Sequence, residues 1–143
     1  MGTEEYQRIR VLWPDHLNLA RGKDLPARLA ERGTRHCLSV FSLGYDRDMG
    51  PTPGTGFLEG MPDMECNFDV SETRPSWEDG VGVVVGDLER NGEPVPLAPR
   101  TVLRNAVGAW ELMGFKPKVG IELEAYILEP DPSGGWRPYN APG

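Results

Sequence analysis

The 143 residues suffice for one ordinary domain, or for a small domain plus a piece of another. A formal net charge of -7 argues against a general nucleic-acid binder, since phosphate backbones demand a basic surface, and no apolar run reaches the ~18 residues a bilayer span needs. Composition is that of a soluble protein rich in turns, with 18 glycines and 14 prolines, and the N-terminal MGTEEYQRIR lacks the basic-then-apolar layout of a secretion signal, so a cytoplasmic location is expected. In chain order, QRIRVLW (7–13) alternates Ile9, Val11 and Trp13 against Arg8 and Arg10, which predicts a half-buried strand. LNLARGKDLP predicts a returning strand. DLPARLAERG predicts a short helix with Asp24 near its cap, Pro26 in its first turn and Gly33 as its stop. The Gly-, Pro- and Asp-rich run from Ser42 to Gly60 predicts a long excursion, a feature that tends to be functional or mobile inside a compact domain. Strand character returns in MECNFDV and in VGVVVGDL (Val81 to Leu88), whose β-branched run predicts one strand covered on both faces, ended by an Asn91-Gly92 turn. Next comes a helix over PRTVLRNAVGAWELMGF, where Val102, Leu103, Ala106, Val107, Trp110 and Met113 recur at three- and four-residue intervals before Gly114. VGIELEAYIL then alternates again, and the tail DPSGGWRPYNAPG reads as turns throughout.

The chemistry-bearing feature is the pair Glu122 and Glu124. On a strand, residues two apart project from one face roughly 6.5–7 Å from each other, which is a start for a divalent-cation site. Mg²⁺ and Mn²⁺ prefer carboxylate oxygens, and paired ions can clamp a transferring phosphoryl group. The alternative is a solvated strand face carrying two surface charges, and ExE is too short to be a specific motif. With only His16 and His36 as imidazoles, and Cys37 and Cys66 forming neither a disulfide framework nor a CxxC pair, oxygen ligands are the ones that remain. Both cysteines are expected to be buried and reduced.

In order along the chain stand Asp15, Arg21-Gly22-Lys23, Asp63-Met64, Asp69, Asp87, Pro99-Arg100, Gly114-Phe115, Gly120, Glu122, Glu124 and Tyr126. This collinear set resembles the N-terminal third of the glutamine synthetase family, including relatives that join glutamate to amines other than ammonia. The resemblance implies an α+β fold: a β-grasp N-terminal domain over residues 1–97, then the first helix and strand of the catalytic domain over 98–143, truncated relative to the much longer family members. It implies an ATP-dependent glutamate–ammonia or glutamate–amine ligase that works through a gamma-glutamyl phosphate intermediate, with Mg²⁺ or Mn²⁺ as cofactor and ATP as co-substrate. Glu124 would hold the ion nearer glutamate and Glu122 the ion nearer the nucleotide phosphates. A homo-oligomeric ring is implied for a complete enzyme, in which the 42–60 loop acts on a neighbouring subunit.

Two departures bear on the acceptor. Ala125 stands where an aromatic usually follows the second glutamate. YDRDMGPTPGTG lacks the Asp-Gly-Ser-Ser stretch that serves ammonium in ammonia-using members, which points to a larger amine, with Asp46 or Asp48 as candidates for the missing role. Asp63, after the long loop, is a third candidate to line a substrate entrance, against a turn or capping role. Asp15 reads as an Asx-turn residue, Arg21 and Lys23 as edge charges, and Trp77 and Trp110 as core or interface anchors. Without the rest of a catalytic domain the chain is expected to be inactive alone, and the competing reading is a stand-alone β-grasp binding module without catalysis.

Overall fold

A computed structural model describes residues 5–139. The first strand, β1 (Arg8–Pro14), turns back antiparallel into β2 (Ala20–Pro26), with Arg10 opposite Asp24. Its period-two pattern has the expected result: Ile9, Val11 and Trp13 are buried while Arg8 stays exposed. The expectation for Asp24 requires correction. It lies within β2 and accepts hydrogen bonds from Arg10 Nε at 2.9 Å and Nη2 at 3.1 Å, because the ladder sets the two side chains across from each other. The short helix that follows is a 3-10 turn, Ala27–Arg32, flanked by Pro26 and stopped by Gly33 at φ 62°.

Two strands were not signalled by alternation or were signalled differently. Thr34–Cys37 forms β3 and pairs antiparallel with β4 (Asp63–Asn67), the strand foreseen in MECNFDV. The run Val81 to Leu88 is two strands, not one: β6 (Val81–Val85) and β7 (Asp87–Arg90) belong to different sheets, and the chain crosses between them at Gly86. Asn91 and Gly92, at φ 56° and 79°, make the two-residue turn into β8 (Glu93–Pro94).

One sheet has the order β2-β1-β6-β5, with β5 at Arg74–Pro75, and its central pair β1 and β6 is parallel; the second, β3-β4-β7-β8, is antiparallel throughout. One core joins them. Ile9, Val11, Trp13 and Val84 from the first sheet meet Met64, Cys66 and Leu88 from the second, with Leu38, Phe41, Val95 and Ala98 closing the cluster. Burial pushes the Cys66 thiol up to about 11, so it is an unreactive core group, whereas Cys37 is only half-buried, against expectation. Trp77 is not a core anchor either: 75% of it is exposed, and the Arg10 guanidinium covers its ring at 4.9 Å.

His36 is packed edge-on to Trp13 at 5.2 Å, and its Nε2 is 2.8 Å from Thr34 Oγ1. Burial, and then the nearby Lys23 charge, lower its pKa to about 4 from an ordinary 6.5, with Asp63 opposing. Because the folded state resists this proton, stability is complete above pH 6.5 and falls between pH 6.5 and 4. Thermal midpoints measured across that window should decline for the wild type and flatten in His36→Gln. An equal slope in both proteins would assign the decline to other groups.

Candidate functional site

The one α-helix among the described residues, α1 (Pro99–Leu112), begins and ends where the sequence marks it. Pro99 occupies the first turn, where its missing N–H costs nothing. At the other end Gly114 adopts φ 83°, its N–H donates to Glu111 O at 2.9 Å, and Phe115 N–H donates to Trp110 O at 3.0 Å. This is a Schellman stop, reinforced by the edge-to-face contact of the Trp110 and Phe115 rings at 5.7 Å.

Asp87, on β7, ties this helix to the second sheet. Its Oδ1 accepts from Arg100 Nε at 2.7 Å and its Oδ2 from Arg104 Nη2 at 2.8 Å. Burial alone would raise the Asp87 pKa, but the two guanidiniums outweigh it and hold the carboxyl below its ordinary value. Residues 100 and 104 are one helical turn apart, so a single carboxylate spans both. Asp87 and Arg100 were family markers in the sequence. Arg104 was missed, though its i, i+4 spacing from Arg100 was there to be read.

Beyond α1 the expected strand is absent. Residues 115–127 make no ladder among the described residues, and Glu122 and Glu124 are exposed. The alternation is real, but a strand also requires a neighbour to take its N–H and C=O groups, and apart from the Tyr139 N–H donating to Ile127 O at 2.8 Å the described chain provides none here. Val119, Ile121, Leu123 and Tyr126 stand in solvent at 82–92% exposure. The apolar side of α1 is likewise uncovered, with Val102, Leu103, Trp110 and Met113 each at least half exposed. The tail is also corrected: Leu128–Pro130 (β9) and Trp136–Pro138 (β10) form a small antiparallel hairpin around an Asp131 turn, while the NAPG ending lies outside the described residues.

The paired glutamates do not complete a metal site. No group of three or more His, Cys, Asp or Glu side chains converges anywhere among the described residues, whereas Mg²⁺ wants six oxygens in a near-octahedral arrangement. Of the three aspartate candidates, Asp46 and Asp48 share one turn and Asp63 stands apart on a strand. Asp46 accepts from the Asp48 amide at 3.1 Å in a tight turn closed by the Leu43–Met49 bridge, and Asp63 opens β4 opposite Cys37. Within the 42–60 excursion Thr55 is almost fully buried, and its hydroxyl donates to Thr52 O at 2.6 Å. Asp15 is an Asx-turn residue as read, and additionally pairs with Arg21 at 2.7 Å. No helix among the described residues is long and apolar enough to cross a membrane.

No family model matches the chain. It is 30% identical over 146 aligned positions to the gamma-glutamylanilide synthase of Acinetobacter sp, covering 86% of this chain and 28% of that protein. It is also 30% identical to the glutamine synthetase of Methanosarcina mazei, covering 88% of this chain and 28% of that protein. Among solved structures, one titled as a novel glutamine synthase homolog superposes with a TM-score of 0.59 at 19% identity, over 76% of this chain and 27% of that one. The chain thus spans under a third of the length of these relatives. Sequence matches over most of its own length, joined by a shared fold, place the chain in the glutamine synthetase family.

Proposed function

We propose that this polypeptide is the N-terminal portion of an ATP-dependent glutamate–ammonia or glutamate–amine ligase. In that reaction ATP phosphorylates the side-chain carboxylate of glutamate, and the amine nitrogen displaces phosphate from the gamma-glutamyl phosphate. The observation that carries the reading is the near-complete coverage of this chain by relatives named for amide-forming synthases and synthetases. Residues 1–97 are read as a β-grasp domain, supported by a mixed sheet whose parallel central pair joins β1 to β6, and residues 98–143 as the opening of the catalytic domain. Among the described residues, every buried hydrophobic residue lies between Ile9 and Ala98, which supports a boundary close to there.

Glu122 and Glu124 are proposed as two ligands of the Mg²⁺ or Mn²⁺ that such chemistry uses. Lacking a third ligand among the described residues, the pair supports no reaction step by itself, and the chain alone is read as inactive. The uncovered apolar rows on α1 and on 119–127 are consistent with burial in a larger catalytic unit, and a homo-oligomeric cytoplasmic enzyme is the proposed setting. Calorimetric titration with Mn²⁺ tests the ligand roles. The wild type should show weak binding, in roughly the millimolar range expected of two carboxylates, and Glu122→Gln with Glu124→Gln should abolish it. Superimposable isotherms for the two proteins would remove these residues from the metal.

A further inference from the structure

A cleft of about 620 Å³ separates the β1–β2 turn from the 43–47 turn, lined by Leu17, Leu19, Arg21, Leu43, Tyr45 and Arg47, with the Gly44 backbone between them. Its volume falls in the ~300–1,000 Å³ range of small-molecule sites. Both walls are held by hydrogen bonds. Asp15 Oδ1 accepts from the Leu17 and Leu19 amides, each at 2.9 Å, and His16 Nε2 lies 2.9 Å from Leu43 O, which joins one wall to the other. Gly44 N–H donates to Asp48 O and Arg47 N–H to Gly44 O, closing the second turn with Arg47 at φ 69°.

The polar lining has one sign. Arg21 is oriented by its Nε bond to buried Asp15, whose other oxygen is already taken by the two amides, and the Arg47 side chain makes no hydrogen bond or ion pair among the described residues. Asp46 and Asp48 are on the same turn but do not line the cleft, and one Asp46 oxygen accepts from the Asp48 amide. The rest of the lining is leucine and a Tyr45 ring that is 90% exposed. Guanidinium forks match planar carboxylates, and an aromatic face with leucine walls matches a flat apolar body.

We propose that this cleft binds a small aryl carboxylate, its anionic end held between Arg21 and Arg47 and its ring against Tyr45 and Leu19. The inference uses neither Glu122 nor Glu124, so its failure would leave the proposed metal ligands untouched, and theirs would leave the cleft untouched. The test is titration of the full chain with benzoate and with the cationic near-isostere benzylamine, followed by amide NMR shifts. Benzoate should give saturable shifts confined to residues 15–21 and 43–48, and benzylamine none there. Arg47→Gln, an exposed change, should weaken benzoate at least tenfold while leaving the thermal midpoint in place. Absence of saturable shifts, equal shifts from benzylamine, or undiminished benzoate binding by Arg47→Gln would overturn the assignment.

Discussion

Replacing Asp15 by alanine is expected to destabilise the fold by about 3 kcal/mol, enough to lower the thermal midpoint by on the order of 10 °C. The side chain has no solvent exposure and accepts from the Leu17 amide, the Leu19 amide and Arg21 Nε, at 2.9, 2.9 and 2.7 Å. Alanine leaves two amides in the turn without their acceptor, each worth roughly 1–3 kcal/mol where water cannot replace it. The cost stops short of the upper end of the ~3–5 kcal/mol for breaking a buried pair, because Arg21, with about a third of its side chain exposed, can turn to water. Asparagine keeps an oxygen for the amides and should lose less. Burial alone would raise the Asp15 pKa, but the Leu19 amide, the Arg21 guanidinium and the Leu17 amide together hold it below 3.8. The associated stability is therefore present above pH 3.8 and lost as pH falls through the lower folded value, a loss that Asp15→Asn cannot show. Chemical unfolding at pH 7 and pH 3 measures both effects. A change under 1 kcal/mol for Asp15→Ala at pH 7 would mean that water reaches the turn.

What could be read from the sequence was whatever the chain determines locally. The alternation of β1, the Asn91-Gly92 turn, and the Pro99 start and Gly114 stop of α1 each follow from steric and hydrogen-bonding preferences within a few residues. Partners were not legible. VGIELEAYIL has the same period as QRIRVLW, yet β1 is flanked by β2 and β6 while 119–127 meets no strand among the described residues. Periodicity states which side chains share a face and is silent on what the backbone pairs with. The β3 segment, TRHC, was missed for the converse reason: four residues with no clean alternation become a strand because β4 arrives to pair with them. The family was legible in markers that are individually weak, since Asp15, Asp87 and Arg100 prove to make structural ion pairs that a fold must keep in order. For the candidate site, the identity of the glutamates could be read but not the rest of a ligand set, because convergence of distant side chains is a tertiary property.

Gly86→Ala is the second large effect, expected at about 1–3 kcal/mol, and it tests how the chain passes from one sheet to the other. Residue 86 ends the β6 run in the first sheet, donates its N–H to Leu12 O at 2.8 Å, and hands the chain to β7 in the second. Its φ is not in the left-handed region, so a side chain is opposed by space alone. An added Cβ would clash with Cys66 Sγ and stand 3.0 Å from Asn67 O. Cys66 is fully buried on central strand β4, so its sulfur cannot swing clear without disturbing the Met64 and Leu88 packing around it. Removing the sulfur should relieve most of the clash. In a Cys66→Ala background the cost of Gly86→Ala should fall by about half or more, giving a coupling near 1 kcal/mol in a double-mutant cycle. The Asn67 carbonyl, being backbone, keeps the remainder. Additive costs would show that the strain is taken up by the β6–β7 crossing instead, and the sheets would then be less tightly registered than the core contacts imply.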